Sequence, residues 1–280
     1  MLTKYQINES SESQLDENNS LKKILTAVGY QKRVIDFGCS TGYLAKMLVE
    51  RGCQVTGVEV NAEAAQVAEN YCERVIIGNV EDLNIAEVFP EEQFDVAIFG
   101  DVLEHLKDPK TFLEITRSLL TPTGYVVASI PNIAHGAVRL ALLQGHFNYT
   151  SLGILDETHL RFFTRTTMEQ LFLDAGYEID SIDCTDLPFL TPSPLLPEFD
   201  RGRVDQTVLT ALEKAADVNV FQFIITAFPV STQNRELRLQ KQLAEKKQEL
   251  DSVKQELAAI KSSKFWKLRE IWFNFKQKVF

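Results

Sequence analysis

The feature that most constrains this chain is a regular alternation of short apolar runs and amphipathic stretches between residues 20 and 230. Strands that alternate with helices form mostly parallel sheets that are covered by helices on both faces. The sequence therefore predicts an α/β fold with a doubly wound, mostly parallel, seven-stranded sheet, whose last two strands form an antiparallel edge pair. The predicted strands span residues 33–37, 54–58, 74–77, 94–99, 124–130, 177–184 and 220–228.

Other segments complete the predicted organisation. Residues 1–19 lack apolar periodicity and are expected to be loose, whereas residues 20–230 form the main domain. Within that domain, the connection over about 132–165 is too long for a simple loop and is predicted to form a helical cap. Residues 187–205 contain four prolines, which favours a long surface loop.

The composition changes after residue 230. Apolar side chains recur over 231–262 at alternating four- and three-residue spacing, which predicts a coiled coil that joins a second copy or another protein. The alternative is a single helix docked on its own domain. Residues 263–280 combine aromatic side chains with lysines, which predicts an amphipathic tail that contacts an anionic membrane or a protein partner.

Charge, cysteine content and hydropathy disfavour several classes of protein. The chain carries 29 Lys+Arg and 39 Asp+Glu, and its net charge of −10 disfavours a nucleic-acid partner. Its four cysteines form no C-x-x-C pair, so neither a disulfide framework nor a metal site is predicted. No apolar run has the length of a membrane span, and the first residues lack an apolar signal core. We therefore expect a cytoplasmic protein whose tail can lie at the inner face of the membrane.

The strongest motif is a glycine-containing turn between the first predicted strand and the following helix. The strand ends near Asp36, and Gly38 and Gly42 lie in the turn. Such a turn lets the backbone approach a ligand closely, and the next helix offers unpaired N–H groups. The second strand is followed by Glu59, where an acidic residue commonly binds ribose hydroxyls in doubly wound folds. Together these residues predict a nucleoside site.

The charge of this turn indicates which nucleoside it binds. A dinucleotide site would show the pattern G-x-G-x-x-G, which is missing here. The carboxylate of Asp36 would repel a pyrophosphate but suits a cationic ligand. The turn therefore favours S-adenosylmethionine (SAM) over NAD.

Four motifs in order carry a family resemblance. The segments 36–42 (DFGCSTG), 78–82 (GNVED) and 100–105 (GDVLEH), together with Glu59, resemble the successive motifs of class I SAM-dependent methyltransferases. The resemblance covers about residues 20–230 and implies a Rossmann-like methyltransferase fold with SAM as the cofactor. Two positions depart from the family pattern: Ser40 stands where many members have glycine, and Asn79 stands where an aspartate usually contacts the adenine.

The resemblance also implies roles for individual residues. The glycine turn would hold the methionine part of SAM, Glu59 the ribose, and the segment after the third strand the adenine. The implied cofactor-binding residues are Asp36, Gly38, Cys39, Ser40, Gly42, Glu59, Asn79, Val80, Asp101 and Val102.

All four histidines lie between residues 105 and 159, in the segments that follow the fourth and fifth predicted strands. Histidine titrates near neutral pH and is the natural base for deprotonating a hydroxyl acceptor. We therefore predict His105, His135 and His159 as catalytic candidates, with His105 and His135 ranked first. Asp101 and Asp156 are predicted to orient them.

The cap segment resembles methyltransferases of bacterial surface-polysaccharide and glycosyl-transfer systems, while Glu104-His105 is shared with ubiquinone-type O-methyltransferases. The predicted reaction is O-methylation of a sugar or glycan hydroxyl, or of another small molecule. Arg139 and Arg161 are candidates for binding an anionic acceptor. Two alternatives remain open: an NAD(P)-linked sugar-modifying enzyme, and a non-catalytic adaptor that assembles partners through its coiled coil.

Overall fold

A computed structural model describes residues 12–90 and 92–230, together with positions 236, 240, 243, 244, 246, 247 and 250–258. The chain divides into two units, Met1–Val230 and Ser231–Phe280. The predicted tail over 263–280 and much of the predicted coiled coil lie outside the described residues.

The first unit is built on one seven-stranded sheet with the order β3-β2-β1-β4-β5-β7-β6. Strands β1 to β5 pair in parallel, while β7 is antiparallel to both β5 and β6. The predicted mostly parallel sheet with an antiparallel pair at one edge is thus confirmed. The strands are β1 (Arg33–Phe37), β2 (Gln54–Glu59), β3 (Arg74–Ile77), β4 (Phe94–Gly100), β5 (Leu120–Pro131), β6 (Tyr177–Asp186) and β7 (Val220–Pro229).

Helices connect the strands and cover both faces of the sheet. They are α1 (Ser20–Val28), α2 (Tyr43–Glu50), α3 (Ala62–Ala68), α4 (Ile85–Val88), α5 (Pro109–Thr116), α6 (Gly136–Leu143), α7 (Arg165–Asp174) and α8 (Gln206–Glu213). Short 3₁₀ helices occupy Glu12–Gln14, Leu103–His105, Arg117–Leu119 and Arg201–Arg203.

Side chains of β1 alternate between two cores. Val34 packs with Leu25 and Leu48 of α1 and α2 on one face, whereas Phe37 packs with Phe112 of α5 on the other, with ring centroids 5.0 Å apart. Since successive side chains of a strand point to opposite faces, this alternation buries both faces of the sheet. The carboxyl ends of the strands are left as the open edge of the sheet.

Two segments that are distant in the sequence build the cap. The segment predicted as a helical cap contains one helix, α6, followed by irregular chain as far as residue 164. Val138 of α6 packs with Ile154 and with Leu196 of the proline-rich stretch, while Leu140 packs with Phe189. The prediction of a surface loop over 187–205 is therefore wrong in part, because its apolar side chains cover α6.

Residues 12–19 are not loose, contrary to the sequence prediction. Arg51 forms an ion pair with Glu12 and also donates to the carbonyl of Leu25. Asn18 donates to the carbonyl of Asp186 and accepts a bond from its N–H. Polar side chains and the single apolar residue Leu15, which packs against the core, hold this segment on the main domain. One apolar residue makes no periodic pattern, so periodicity could not reveal this contact.

In the second unit, the described positions from 236 to 258 are helical. Four apolar side chains there are exposed: Leu243, Leu250, Val253 and Leu257. Among the described residues, no helix has both the length and the apolar character that crossing a membrane would require.

Candidate active site

The site lies at the carboxyl edge of the sheet, where the chain winds away from β1 in both directions. Strands β2 and β4 flank β1, and the connections after them lead to opposite sides. Open α/β sheets bind ligands at such a switch point. The predicted cofactor residues follow β1, β2, β3 and β4, which brings them to this one edge.

The turn after β1 has a backbone that glycine permits. Gly38 and Gly42 have φ angles of +73° and +74°, and Ser40 has +50°. A Cβ at Gly42 would lie 2.8 Å from the Cα of Ala68, and one at Gly38 would lie 2.7 Å from Cγ2 of Val102. The two glycines therefore serve both the turn and its close packing, and Gly42 caps the start of α2.

Glu59 ties the end of β2 to this turn. Its carboxylate accepts one bond from the N–H of Ser40 at 2.9 Å and another from the N–H of Asn61 at 2.8 Å. The residue is 8% exposed. Each carboxylate oxygen keeps a second acceptor position, so Glu59 can hold the turn and still bind hydroxyl groups.

Asp36 is buried beneath the turn. Burial, with the nearby charge of Glu59 as a second cause, raises the pKa of its carboxyl group to about 7. A positive charge placed next to this carboxyl group would stabilise its ionised form. The site thus favours a cationic ligand group on electrostatic grounds.

Cys39 and Cys72 fill the space above Gly57. A Cβ at Gly57 would lie 2.5 Å from Sγ of Cys39 and 3.3 Å from Sγ of Cys72. A hydrogen bond with Cys72, together with burial, raises the pKa of the Cys39 thiol. Cys39 therefore has a neutral thiol that packs within the turn.

Asn79 and Val80 lie in the turn after β3. The Asn79 side chain accepts a bond from the N–H of Glu81 at 3.1 Å and donates to Asp82 at 3.0 Å. Val80 is buried against the core. The amide of Asn79 thus shapes the turn, and its carbonyl oxygen retains one lone pair for a further donor.

Asp101 follows β4 with φ at +55°, a conformation that is uncommon for a residue other than glycine. Its carboxylate accepts bonds from Ser129 of β5 at 2.7 Å and from Gln222 of β7 at 2.8 Å. Three strands therefore fix this carboxylate at the open edge. Beside it, a Cβ at Gly100 would meet no described atom within 4 Å, so space is available there.

His105 and His159 meet across the site, with ring centroids 4.8 Å apart. Nδ1 of His105 lies 3.1 Å from the carbonyl oxygen of Thr158, and Nδ1 of His159 lies 3.1 Å from that of Ile154. A carbonyl oxygen can only accept, so each Nδ1 carries a proton, and in a neutral ring Nε2 is then the nitrogen with the lone pair. The structure thus brings two of the three predicted catalytic histidines together.

His135 lies elsewhere, at the start of α6, and is fully buried. Its Nε2 donates to the carbonyl of Leu187 at 2.7 Å, and its Nδ1 accepts from the N–H of Ala137. Burial lowers the pKa of this imidazole, which is therefore neutral. With both ring nitrogens in use, His135 joins the two cap segments, and this placement favours a structural role over the predicted catalytic one.

The two predicted anion-binding arginines also contact the backbone. Arg139 donates to the carbonyl of Ala134, and Arg161 donates to that of Lys107. Both contacts position the cap, so anion binding by these residues would need their remaining donors.

Glu104 is a residue whose role the sequence analysis missed. Its side chain is 1% exposed and lies beside the two histidines. Its backbone carbonyl accepts bonds from the N–H groups of Leu160 and Arg161, both at 2.9 Å. The only sequence signal was its place next to His105, because the contacting cap residues are far away in the chain.

Comparison with known proteins shows which family the chain belongs to. A family model described as a methyltransferase domain matches residues 13–182. The chain is also 27% identical over 154 residues to a ubiquinone biosynthesis O-methyltransferase of Psychrobacter arcticus, a match that covers 52% of this chain and 59% of that relative. The chain thus spans about three fifths of the length of that relative.

Two solved structures are similar in fold. One is a SAM-dependent methyltransferase from Archaeoglobus fulgidus, with a TM-score of 0.53 and 20% identity over 75% of this chain and 91% of that one. The other is a magnesium protoporphyrin IX methyltransferase from Synechocystis with bound SAH, with a TM-score of 0.51 and 15% identity over 76% of this chain and 83% of that one.

Proposed function

The chain belongs to the class I SAM-dependent methyltransferase family, and from this premise we propose that it transfers the methyl group of SAM to the oxygen of a hydroxyl-bearing acceptor. When bound, SAM supplies an electrophilic methyl group on a sulfonium. The residues of this chain would hold it, align the acceptor and remove the acceptor proton.

The charge and the hydrogen-bonding groups of the carboxyl edge support SAM as the ligand. The backbone of 38–42 and the buried Asp36 suit the cationic methionine part, and the open acceptor positions of Glu59 suit the ribose hydroxyls. Asn79 and Val80 would lie beside the adenine, and Asp101 and Val102 would border the transferred methyl group. These assignments follow the family resemblance, and the strand order that brings the residues to one edge supports them.

The histidine pair is the observation that best supports a hydroxyl group as the methyl acceptor. His105 directly follows β4 at the edge where SAM would bind, and His159 packs against it. Each ring donates from Nδ1 to a cap carbonyl, so Nε2 is the nitrogen that would act as the base in the neutral ring. A hydroxyl acceptor needs such a base, whereas an acceptor that is already anionic does not.

We propose a sugar or glycan hydroxyl as the acceptor, because the cap segment resembles methyltransferases of bacterial surface-polysaccharide and glycosyl-transfer systems. The name of the Psychrobacter relative offers a competing class, namely an intermediate of ubiquinone biosynthesis. Labelled methyl transfer from SAM into separated glycan and lipid fractions of cell extract would decide. Label in a glycan supports the proposal, and label only in a quinone-type lipid selects the competing class.

Calorimetric titration with SAM and with NAD separates this proposal from the two other functions. A methyltransferase binds SAM alone, an NAD(P)-linked enzyme binds NAD, and a non-catalytic adaptor binds neither. Binding of NAD without SAM would reject the proposal.

For residues 231–262 we propose a coiled coil between two copies of this chain. The four exposed apolar side chains of the described helical positions follow the spacing of such a seam. Light scattering of the full chain and of Leu250→Lys should show a dimer and a monomer, respectively. A monomer in both cases would favour a helix that packs on its own domain.

For residues 263–280, which lie outside the described residues, the sequence supports a proposal of contact with an anionic membrane. Aromatic residues with six basic residues from position 261 onward suit the headgroup region, where each basic residue adds about 1 kcal/mol. Flotation of the full chain and of a 1–260 truncation with anionic liposomes is the test. The truncation should lose binding but keep its SAM affinity, and equal flotation of both would reject the proposal.

A further inference from the structure

Three potential metal-binding side chains converge beneath the cap. One donor atom from each of Glu104, His105 and His159 lies within 4.8 Å of the other two. Glu104 and His105 belong to the 3₁₀ helix after β4, and His159 belongs to the irregular chain of the cap. The cluster therefore forms only when the cap is folded onto the sheet.

The carboxyl group of Glu104 is the first sign that something binds here. Both of its oxygens are buried, and neither has a hydrogen-bond partner in another described residue. Burial, and then the charges of Asp101 and Asp156, raise the pKa of this group. An unpartnered buried carboxyl group is costly, and a cation within reach removes that cost.

The two histidines are prepared as ligands. Each donates its Nδ1 proton to a cap carbonyl, at Thr158 for His105 and at Ile154 for His159. In proteins, a metal-binding histidine typically donates its other ring nitrogen in this way, which fixes the tautomer and the ring orientation. These Nδ1 contacts orient each ring and make Nε2 the nitrogen that would bind a metal ion.

We propose that Glu104, His105 and His159 bind one divalent transition-metal ion, with Zn²⁺ as the best match. Two imidazoles and one carboxylate form a set that Zn²⁺ uses in catalytic sites, with a further position left for water or substrate. Mg²⁺ prefers an octahedron of oxygens and is a poor match. Ligand bonds of about 2.1 Å place donor atoms roughly 3–4 Å apart. Small side-chain rotations would bring the three donor atoms, which now lie within 4.8 Å of one another, to that distance.

The ion's role in catalysis rests on the proposed function, whereas its binding does not. Next to Asp101, the ion would take the acceptor oxygen as its remaining ligand and lower the pKa of that hydroxyl. The Nε2 atoms of His105 and His159 would then hold the ion instead of taking the proton, and the proton of the metal-bound hydroxyl would pass to water. The ion would also join the cap to β4.

The test is metal titration of the full chain after treatment with a chelator. We expect one Co²⁺ or Zn²⁺ per chain by calorimetry, a visible d–d spectrum of Co²⁺ without a thiolate band, and a higher melting temperature. Glu104→Gln and His159→Ala should each weaken binding at least about 100-fold and abolish the rise in melting temperature. The matched control is His146→Ala, an exposed histidine outside the cluster, which should bind as the unaltered chain does.

Three results would overturn the proposal: no stoichiometric binding, binding that survives both variants, or a Co²⁺ spectrum with a thiolate band. Glu104→Gln keeps the shape of the side chain and removes only the carboxyl group that would bind the ion, so it is expected to fold, and thermal melts without metal check this. A parallel SAM titration keeps the two claims apart. Metal binding without SAM binding rejects only the proposed function, and SAM binding without metal binding rejects only the metal site.

Discussion

In the cofactor half of the site (Asp36, residues 38–42, Glu59 and residues 79–80), Glu59 bonds to a backbone amide 19 residues away. In the acceptor half (Asp101, Glu104, His105 and His159), His105 bonds to a carbonyl 53 residues away. The first half needs only β1, β2, β3 and the turns that follow them, whereas the second needs the cap folded onto β4. A substitution in the acceptor half should therefore lower turnover with little effect on SAM affinity, and one in the cofactor half should mainly change SAM binding.

The largest expected effect is on turnover in the acceptor half. His105→Ala and His159→Ala should each lower kcat by about 10²–10⁴-fold, because an acceptor hydroxyl loses the group that assists its deprotonation. SAM affinity should change little, because the residues proposed to hold SAM belong to the cofactor half. Single-turnover assays with saturating SAM measure the effect, with His146→Ala as the control. Full activity in both variants would remove the histidine pair from the mechanism.

The next prediction concerns how the glycine turn of the cofactor half contributes to stability. Gly42→Ala should lower the free energy of unfolding by about 2–4 kcal/mol, because it adds both an unfavourable positive φ and a contact with the backbone of Ala68. Gly145→Ala is the matched control: its φ is +79°, but no described atom lies within 4 Å of the added Cβ. We expect it to cost only about 1–2 kcal/mol in urea unfolding. Equal losses would show that packing against α3 does not matter.

The variant His135→Ala tests whether His135 stabilises the cap or takes part in catalysis. His135→Ala leaves the carbonyl of Leu187 and the N–H of Ala137 without their partner, which should cost about 1–3 kcal/mol of stability. Its kcat should fall far less than that of His105→Ala. A melting temperature equal to that of the unaltered chain, combined with a large loss of kcat, would restore His135 as the base.

Asp36 gives the cofactor half a pH dependence. Its carboxyl pKa, about 7 in the free protein against 3.8 for an unperturbed group, means that ionisation of Asp36 lowers stability as pH rises through about 4 to 7. A bound sulfonium favours the ionised form, so SAM affinity should rise about tenfold between pH 6 and pH 8. Titration calorimetry of Asp36→Asn should show a flat profile. A rise of the same size in that variant would assign the effect to another group.

The same contrast explains what the sequence could predict. Gly38, Gly42 and Glu59 belong to contiguous motifs next to strands, so spacing alone brings them to one edge. His135 stood in the same histidine-rich window as His105, yet its role as the cap of α6 depends on Leu187 from another segment. Likewise, no spacing rule for metal sites joins Glu104 to His159, because the irregular chain of the cap sets their distance. Long-range packing of irregular chain carries no periodic signal.

The most direct test of the central claim is the SAM affinity of Glu59→Ala measured beside that of His159→Ala. The carboxylate of Glu59 orders the turn at Ser40 and is proposed to bind the ribose, so its loss should weaken SAM binding by about 1–3 kcal/mol. His159→Ala should bind SAM as the unaltered chain does. An unchanged affinity in Glu59→Ala, or an equal loss in both variants, would contradict the division of the site into a cofactor half and an acceptor half.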